Sequence, residues 1–247
     1  HEDAEAQFAR QEPDLVETLE RLKRRVRDNQ ESVDTIERHF ALKNTMGYSL
    51  NAFLDYDSPL DIFMHLLVAS EGTLAFIAEA VLRTIEVPNL KTTTIAVYPT
   101  LDAATRSLPA LFDSQAATLE LMDSRSINVG RTFDSVPEQI TGFELGSQAA
   151  LLIEYHANEA DQLREYEQAG SQLLREFDLQ TPAKFTTDAG EAAKAWAFRK
   201  GLYAQVAEAR PSGTTALLED IAVPVEDLAD TCGGLQQLFD TYRYDDA

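Results

Sequence analysis

The sequence has 247 residues, enough for one large domain or two modest ones, and is 44% hydrophobic and 26% charged, the balance of a globular protein. Its 42 Asp and Glu against 21 Lys and Arg leave a net charge of −21. That sign argues against nucleic acid or an anionic membrane as the main partner, because gripping phosphates needs a basic surface.

The first element in the chain is helical. Pro13-Asp14 opens it, and Leu15, Leu19, Leu22 and Val26 recur every three or four residues as one apolar stripe. A second, shorter helix is expected over Glu31 to Phe40. The polar stretch Lys43 to Asn51 has no helical period and reads as a loop. Ser58 before Pro59 is an N-cap and first-turn signal for a helix running to Leu67. Ser70-Glu71-Gly72-Thr73 reads as a tight turn, and the β-branched, aliphatic run Leu74 to Val87 as a strand bounded by Pro88.

Beyond Leu90 the grammar changes, so Pro88-Asn89 is the best boundary, giving units 1–88 and 89–247. Strands are expected over Thr92 to Tyr98, Thr118 to Met122, Ala149 to Tyr155, Lys184 to Thr186 and Thr215 to Val223. Helices are expected over Leu101 to Leu111, Asn158 to Phe177, Asp188 to Glu208, and from Pro224 through Phe239. Leu163, Tyr166, Leu173, Leu174 and Phe177 mark the inner face of the second of these. This alternation favours an α+β fold with a sheet covered by helices on one face, although βαβ crossovers in a parallel sheet fit the same order.

No apolar run approaches the roughly 18 residues of a membrane helix. The polar, acidic start lacks the basic and apolar regions of a secretory signal, so a cytoplasmic protein is expected. The single cysteine, Cys232, excludes a disulfide framework and a cysteine-ligated metal or Fe–S site formed within the chain. Glycine-rich nucleotide loops, G-x-S-x-G and H-E-x-x-H are absent. The four histidines, His1, His39, His65 and His156, never stand at ligand spacing and read as structural or solvated.

Ser70-Glu71-Gly72-Thr73 offers backbone N–H groups and two hydroxyls on one small surface, suited to a ring-edge carbonyl or an anion; its plainer reading is a turn that needs Gly72. A second polar loop with Asn44, Gly47 and Tyr48 stands about 25 residues upstream, and the two could converge on one ligand. Arg199 and Tyr203, four apart on a helix, share a face that could grip a carboxylate; an exposed Arg over an aromatic ring is the plainer alternative. Glu219-Asp220, after the rigid loop Arg210-Pro211-Ser212-Gly213-Thr214, reads as edge charge rather than catalyst.

Lys43-Asn44-Thr45-Met46-Gly47-Tyr48-Ser49-Leu50-Asn51-Ala52-Phe53-Leu54-Asp55 followed by Ser70-Glu71-Gly72-Thr73-Leu74-Ala75-Phe76-Ile77 resembles the FAD-linked oxidase family. That family includes D-lactate dehydrogenases, glycolate oxidase flavin subunits and D-2-hydroxyglutarate dehydrogenases. Ala75 stands where the family usually has Gly. Further along, Glu120-Leu121-Met122-Asp123, Phe198-Arg199-Lys200-Gly201-Leu202, Arg210 to Thr214 and Glu219-Asp220-Ile221-Ala222-Val223-Pro224 resemble its substrate-side cap in order and spacing. The likeness extends from about Leu15 to Phe239, and is nearest to large bacterial D-lactate dehydrogenase-like proteins that carry a downstream Fe–S domain.

The resemblance implies the end of a flavin-binding domain over 1–88, followed by an antiparallel-sheet cap over 89–247. It implies an FAD-dependent oxidation of a D-2-hydroxy acid, most simply D-lactate, with electrons passed to an acceptor other than NAD. Asn44, Gly47, Ser70, Glu71, Gly72 and Thr73 would lie against FAD. Arg199 matches the arginine that holds the substrate carboxylate, and Tyr203 falls where the hydroxyglutarate enzymes have a smaller hydroxyl residue. Leu218 replaces the lysine that those enzymes carry two residues before the aspartate matched by Asp220, which argues against their substrate. In the family, the glycine-rich pyrophosphate loop would precede residue 1. The histidine stretch that binds a metal and acts on the substrate hydroxyl would follow residue 247. The chain is therefore expected to be a fragment without a catalytic residue or metal ligand of its own, whose parent is cytoplasmic or peripheral at the inner membrane face. A non-catalytic ligand-binding or interaction module on the same scaffold is the alternative.

Overall fold

The computed structural model describes residues 2–44, 47–208, 213 and 221–243, without the side chains of Glu2 and 203–208. It divides into two compact units, His1–Thr84 and Ile85–Ala247.

The first unit is helical. Its elements are α1 (Glu2–Gln11), α2 (Pro13–Arg27), α3 (Gln30–Phe40), the single turn α4 (Ala52–Asp55) and α5 (Pro59–Leu67). The α2 stripe does what its spacing predicts: Leu19 is buried against Ala52, Phe53, Ile62 and Leu66, with Leu15, Leu22 and Val26 along the edge of the same cluster. Asn29 accepts from Ser32 N at the start of α3, and Ser58 accepts from Asp61 N at the start of α5. Arg27 closes the carbonyl end of α4, donating from Nε to Phe53 O (2.8 Å) and from Nη2 to Tyr56 O (2.8 Å). Such charge-assisted bonds settle carbonyls that a helix end leaves without partners.

Among the described residues the second unit is built on three strands, β1 (Leu90–Tyr98), β2 (Thr118–Met122) and β3 (Ala149–Ala157). The spatial order is β1-β3-β2, with β3 antiparallel to both neighbours. β1 and β2 therefore run parallel with β3 between them, joined by α6 (Leu101–Asp113). Short helices α7 (Ser124–Gly130) and α8 (Glu138–Thr141) precede β3, and α9 (Ala160–Leu174), α10 (Ala189–Glu208) and α11 (Leu228–Tyr242) follow it. The class is α+β with an antiparallel sheet, as the sequence predicts.

Helices lie on both faces of that sheet rather than one. Leu151, Ile153 and Tyr155 of β3 pack with Leu108 and Leu111 of α6 and Leu163 and Leu174 of α9. The alternate residues Ala150 and Leu152 pack with Ile127 of α7, Ile140 of α8, and Phe198 and Leu202 of α10. The reason is legible in the central strand, whose near-continuous apolar run requires cover on both sides. Each large aliphatic side chain so buried contributes roughly 1.5–3 kcal/mol.

Other expectations need correction. Leu74 to Val87 forms no strand: it joins no ladder, and Phe76 and Val81 are 92% and 97% exposed. Its β-branched composition describes a surface suited to a sheet, but a strand exists only where another strand supplies hydrogen bonds. Lys184 to Thr186 is reduced to one bridge, Thr93 with Thr186. The polar, helix-forming start of the chain is a separate helix, α1, before Pro13. Of the expected strand Thr215 to Val223, residues 215–220 lie outside the described residues, and 221–223 have no regular structure.

The crossing of α7 and α10 depends on Gly130. A Cβ there would stand 2.4 Å from Cζ of Phe198, which is itself buried and paired with Phe133 at 5.6 Å between ring centroids. Gly130→Ala should destabilise the second unit by about 1–3 kcal/mol, the usual cost of overpacking. Gly142→Ala, whose nearest neighbour would be Glu138 O at 3.8 Å, is the control. Equal melting temperatures for the two variants would refute this account of the crossing.

Candidate functional site

Two sets of polar groups stand out, one in each unit. In the first unit the expected pair of loops does come together. The Tyr48 hydroxyl lies 2.9 Å from Oγ1 of Thr73, and Ser49 Oγ donates to Val68 O at 3.1 Å. Thr73 Oγ1 donates to Ser70 O at 2.7 Å, so it accepts from the Tyr48 phenol. The Thr73 N–H closes the same turn onto Ser70 O at 3.0 Å. Ser70 is buried, whereas Glu71 and Gly72 are exposed. Gly47 and Gly72 both have φ +74° and Glu71 φ +51°, so the tight turn does draw on left-handed backbone that favours glycine. At either glycine a Cβ would meet nothing within 4 Å, which leaves an open approach to backbone. Asn44 donates to His39 O at 3.4 Å at the end of α3.

In the second unit one sheet face is apolar at one end and polar at the other. β3 carries Ala150 and Leu152 into the apolar half, then Glu154 and His156 along the same face. Glu154 is only 2% exposed. Its Oε2 accepts from Oγ1 of Thr93 on β1 (2.8 Å) and from Nε1 of Trp196 on α10 (2.9 Å). Its Oε1 accepts from Nε2 of His156 (2.5 Å) and lies 3.5 Å from Nζ of Lys91. Burial by itself would raise this carboxyl's pKa. The bonds from Trp196, His156 and Thr93 and the Lys91 charge outweigh it, so the group is held below its ordinary 4.5.

One helical turn beyond Trp196, Arg199 reaches the neighbouring strand. Its Nε and Nη2 both lie 2.9 Å from Oε2 of Glu120 on β2, and the two side chains are 34% and 33% exposed. Glu120 opposes Leu152 in the ladder and Thr118 opposes Glu154, so the two carboxylates are diagonal neighbours on one face. Lys200 sits over the Trp196 ring, 5.5 Å from its centroid. Tyr203 follows within α10, but its side chain lies outside the described residues. So do Thr45, Met46, Arg210, Pro211, Ser212, Thr214, Leu218, Glu219 and Asp220; Gly213 is described, with φ +90°.

Sequence reasoning singled out Arg199 and missed the Glu154 centre. His156 had been grouped with structural or solvated histidines, and it is in fact a structural donor. A glutamate inside a nine-residue buried strand was the available signal, because a carboxylate in that setting must have partners. Among the described residues no group of three or more His, Cys, Asp or Glu could hold a metal ion. None of the described helices is long and apolar enough to cross a membrane.

The second unit is thus an α+β domain whose antiparallel sheet lies between helical layers. Residues 87–245 match the family described as FAD linked oxidases, C-terminal domain, and the chain belongs to that family. It is 28% identical over 208 residues to the D-2-hydroxyglutarate dehydrogenase of Haemophilus influenzae, covering 80% of this chain and 20% of that protein. It is 28% identical over 194 residues to the D-lactate dehydrogenase of Anaerostipes hadrus, covering 76% of this chain and 37% of that protein. The match to glycolate oxidase subunit GlcD of Bacillus subtilis is 27% over 179 residues, covering 72% and 36%. The chain thus spans about a fifth of the hydroxyglutarate dehydrogenases it matches.

The Glu154 centre makes stability pH-dependent in a defined direction. A carboxyl whose pKa is lower folded than unfolded stabilises the fold above its unfolded value, near 4.5, and that stabilisation is lost as pH falls through the folded value. Glu154→Gln should be less stable than wild type at pH 7 by about 1–3 kcal/mol, since an amide cannot accept all these donors. The gap should narrow as pH falls below 4.5 and Glu154 takes up its proton. Urea denaturation midpoints measured across this range check it, and parallel curves for the two proteins would contradict it.

Proposed function

We propose that this chain carries the flavin-side loops and the substrate-side cap of an FAD-dependent dehydrogenase of D-2-hydroxy acids, with D-lactate as the substrate. The observation that carries the reading is Arg199, a permanent cation one-third exposed at the polar end of the sheet face and held at its Nε side by Glu120. A guanidinium offers a planar edge that matches a carboxylate with two parallel hydrogen bonds. The position is the one at which the resemblance expects the substrate's carboxylate to be gripped. Tyr203, one turn further on α10, is assigned to the same substrate. D-lactate is favoured over a dicarboxylic acid because Leu218 stands in place of a lysine.

The loops of the first unit fit FAD. Gly47 and Gly72 are open to the approach of a flat ring, with no side chain between ligand and backbone. Asn44, Gly47, Ser70, Glu71, Gly72 and Thr73 would hold it, residues 1–88 being the end of the flavin-binding domain and 89–247 the cap. When bound, FAD supplies the acceptor for the hydride that leaves C2 of the hydroxy acid. Arg199 binds and orients the carboxylate, and the Tyr48–Thr73–Ser70 chain keeps the loops closed on each other. No proton-transfer residue is assigned within this chain. The electrons pass to an acceptor other than NAD, and an Fe–S domain of the parent protein is the reading for it. The parent is placed in the cytoplasm or peripherally at the inner membrane face.

The test uses the protein encoded by the uninterrupted reading frame. It should purify with a flavin absorption band that D-lactate bleaches anaerobically, faster than D-2-hydroxyglutarate or glycolate. Arg199→Ala should raise the KM for D-lactate by at least about tenfold, the scale of a lost charge-assisted contact. A protein that retains no flavin, or a bound flavin that none of the three acids reduces, would overturn the reading in favour of a non-catalytic binding module. The 247-residue chain alone should turn over none of them with a dye acceptor.

A further inference from the structure

We propose that Glu120 is a positioning residue for Arg199, and that it sets the affinity of this site for the substrate carboxylate without touching substrate; the proposal rests on the reading of Arg199 given above. An arginine side chain has four flexible torsions, and a half-exposed one samples many orientations unless something holds it. Here Nε and Nη2 both meet the same oxygen, Oε2 of Glu120, at 2.9 Å. Nε donates to that oxygen and Nη2 approaches it from the same side of the fork, so Glu120 anchors the guanidinium at its Nε edge. These contacts use the Nε side, and leave the Nη1–Nη2 end unclaimed by Glu120. That end is the edge that can take a carboxylate with two bonds.

Both supports of this arrangement are rigid. Glu120 stands on β2, locked in ladder register against Leu152 of the central strand, and its neighbour Met122 is buried in the core. α10 is tethered one turn earlier, where Trp196 donates to the buried Glu154 at 2.9 Å. The backbone beneath Arg199 is therefore set independently of Glu120, and Glu120 is left to orient the side chain alone. Such an arrangement lowers the ordering cost that substrate would otherwise bear on binding. It also accounts for the first residue of the Glu120-Leu121-Met122-Asp123 stretch, whose last residue has a separate duty in capping α7 through Ser126 N.

The test uses the holoenzyme of the full reading frame and two measurements. One is the KM and kcat for D-lactate. The other is the dissociation constant of propionate, an unreactive monocarboxylate, read from perturbation of the flavin spectrum. Glu120→Gln, which keeps an acceptor oxygen but removes its charge, should raise both the KM and that dissociation constant about three- to tenfold, the scale of lost charge assistance, with kcat within about twofold. In the double variant with Arg199→Ala, Glu120→Gln should add nothing, because its whole effect runs through the arginine. In the 247-residue chain Trp196 is the single tryptophan, so its emission should be the same in wild type and Glu120→Gln if α10 has not moved. Unchanged constants in Glu120→Gln, with Arg199→Ala still impaired, would overturn the proposal alone. Effects that multiply in the double variant, or a shifted Trp196 emission, would overturn it as well. Unchanged constants in Arg199→Ala would remove both the proposal and the carboxylate reading beneath it.

Discussion

A single carboxylate organises the second unit. Glu154 lies on the middle strand of three, buried to 2%, and a charge there is tolerable only if its oxygens are filled with donors. The donors come from three directions: Thr93 from the neighbouring strand, His156 from its own strand, and Trp196 from the helix above. Each contact is directional in a way that apolar packing is not. A small slide of α10 would cost Leu152 only graded contact, although the Phe198 ring against Gly130 resists it. The Trp196 N–H could not follow such a slide without leaving a buried charge short of a partner. The hydrophobic half of the face therefore supplies most of the stability, and the polar half selects one position of the helix.

That division of labour runs along α10. Toward its C-terminal side the helix is brought close by glycine: Gly130 of α7 lies against the Phe198 ring, and Gly201 of α10 itself lies against Phe133. On the polar side it is brought close by hydrogen bonds. Arg199 falls at the transition, with Phe198 buried beside it and Glu120 within reach on the next strand. A charged side chain at such a boundary keeps its head accessible while its stem is constrained by packing, a combination that suits binding better than full exposure or full burial. The lone tryptophan is part of the same device, with Glu154 at its N–H and Lys200 over its ring.

How much of this was legible depends on the distance between partners in the chain. Local grammar gave the α2 stripe, the Ser58 cap, the β1 and β2 strands and the spacing of Arg199 and Tyr203, all decided by residues within one or two turns. The convergence of the loops at Tyr48 and Thr73 could be anticipated because one helix links them. The Arg199–Glu120 pair spans 79 residues, and the Trp196–Glu154 bond spans 42. No periodicity reports such a pair, so the sequence points to Arg199 without its partner Glu120. Leu74 to Val87 failed for the same reason in reverse: the strand-like composition was local, while the pairing that defines a strand was not there. Ala149 to Ala157 did hold the answer to a question read wrongly, since a strand apolar on both faces calls for two layers of cover rather than one.

A net charge of −21 sits oddly with the proposed site for an organic anion, yet the two are compatible on the scale at which charges act. At physiological salt the Debye length is about 8 Å, so most of the acidic surface is screened from any one site. What a carboxylate approaching Arg199 meets is set by its immediate neighbours. Glu120 offsets part of the guanidinium charge and thereby reduces its long-range pull. It returns that loss as fixed orientation, which decides how well the short-range hydrogen bonds form. For a small, strongly hydrated anion the short-range geometry is the more discriminating of the two, because the anion gives up its water only to donors already aimed at it. The same logic explains why Glu154 must be so fully satisfied by its own partners. A carboxylate less well occupied, a diagonal neighbour of Glu120 on the same face, would be left to draw on Arg199 itself.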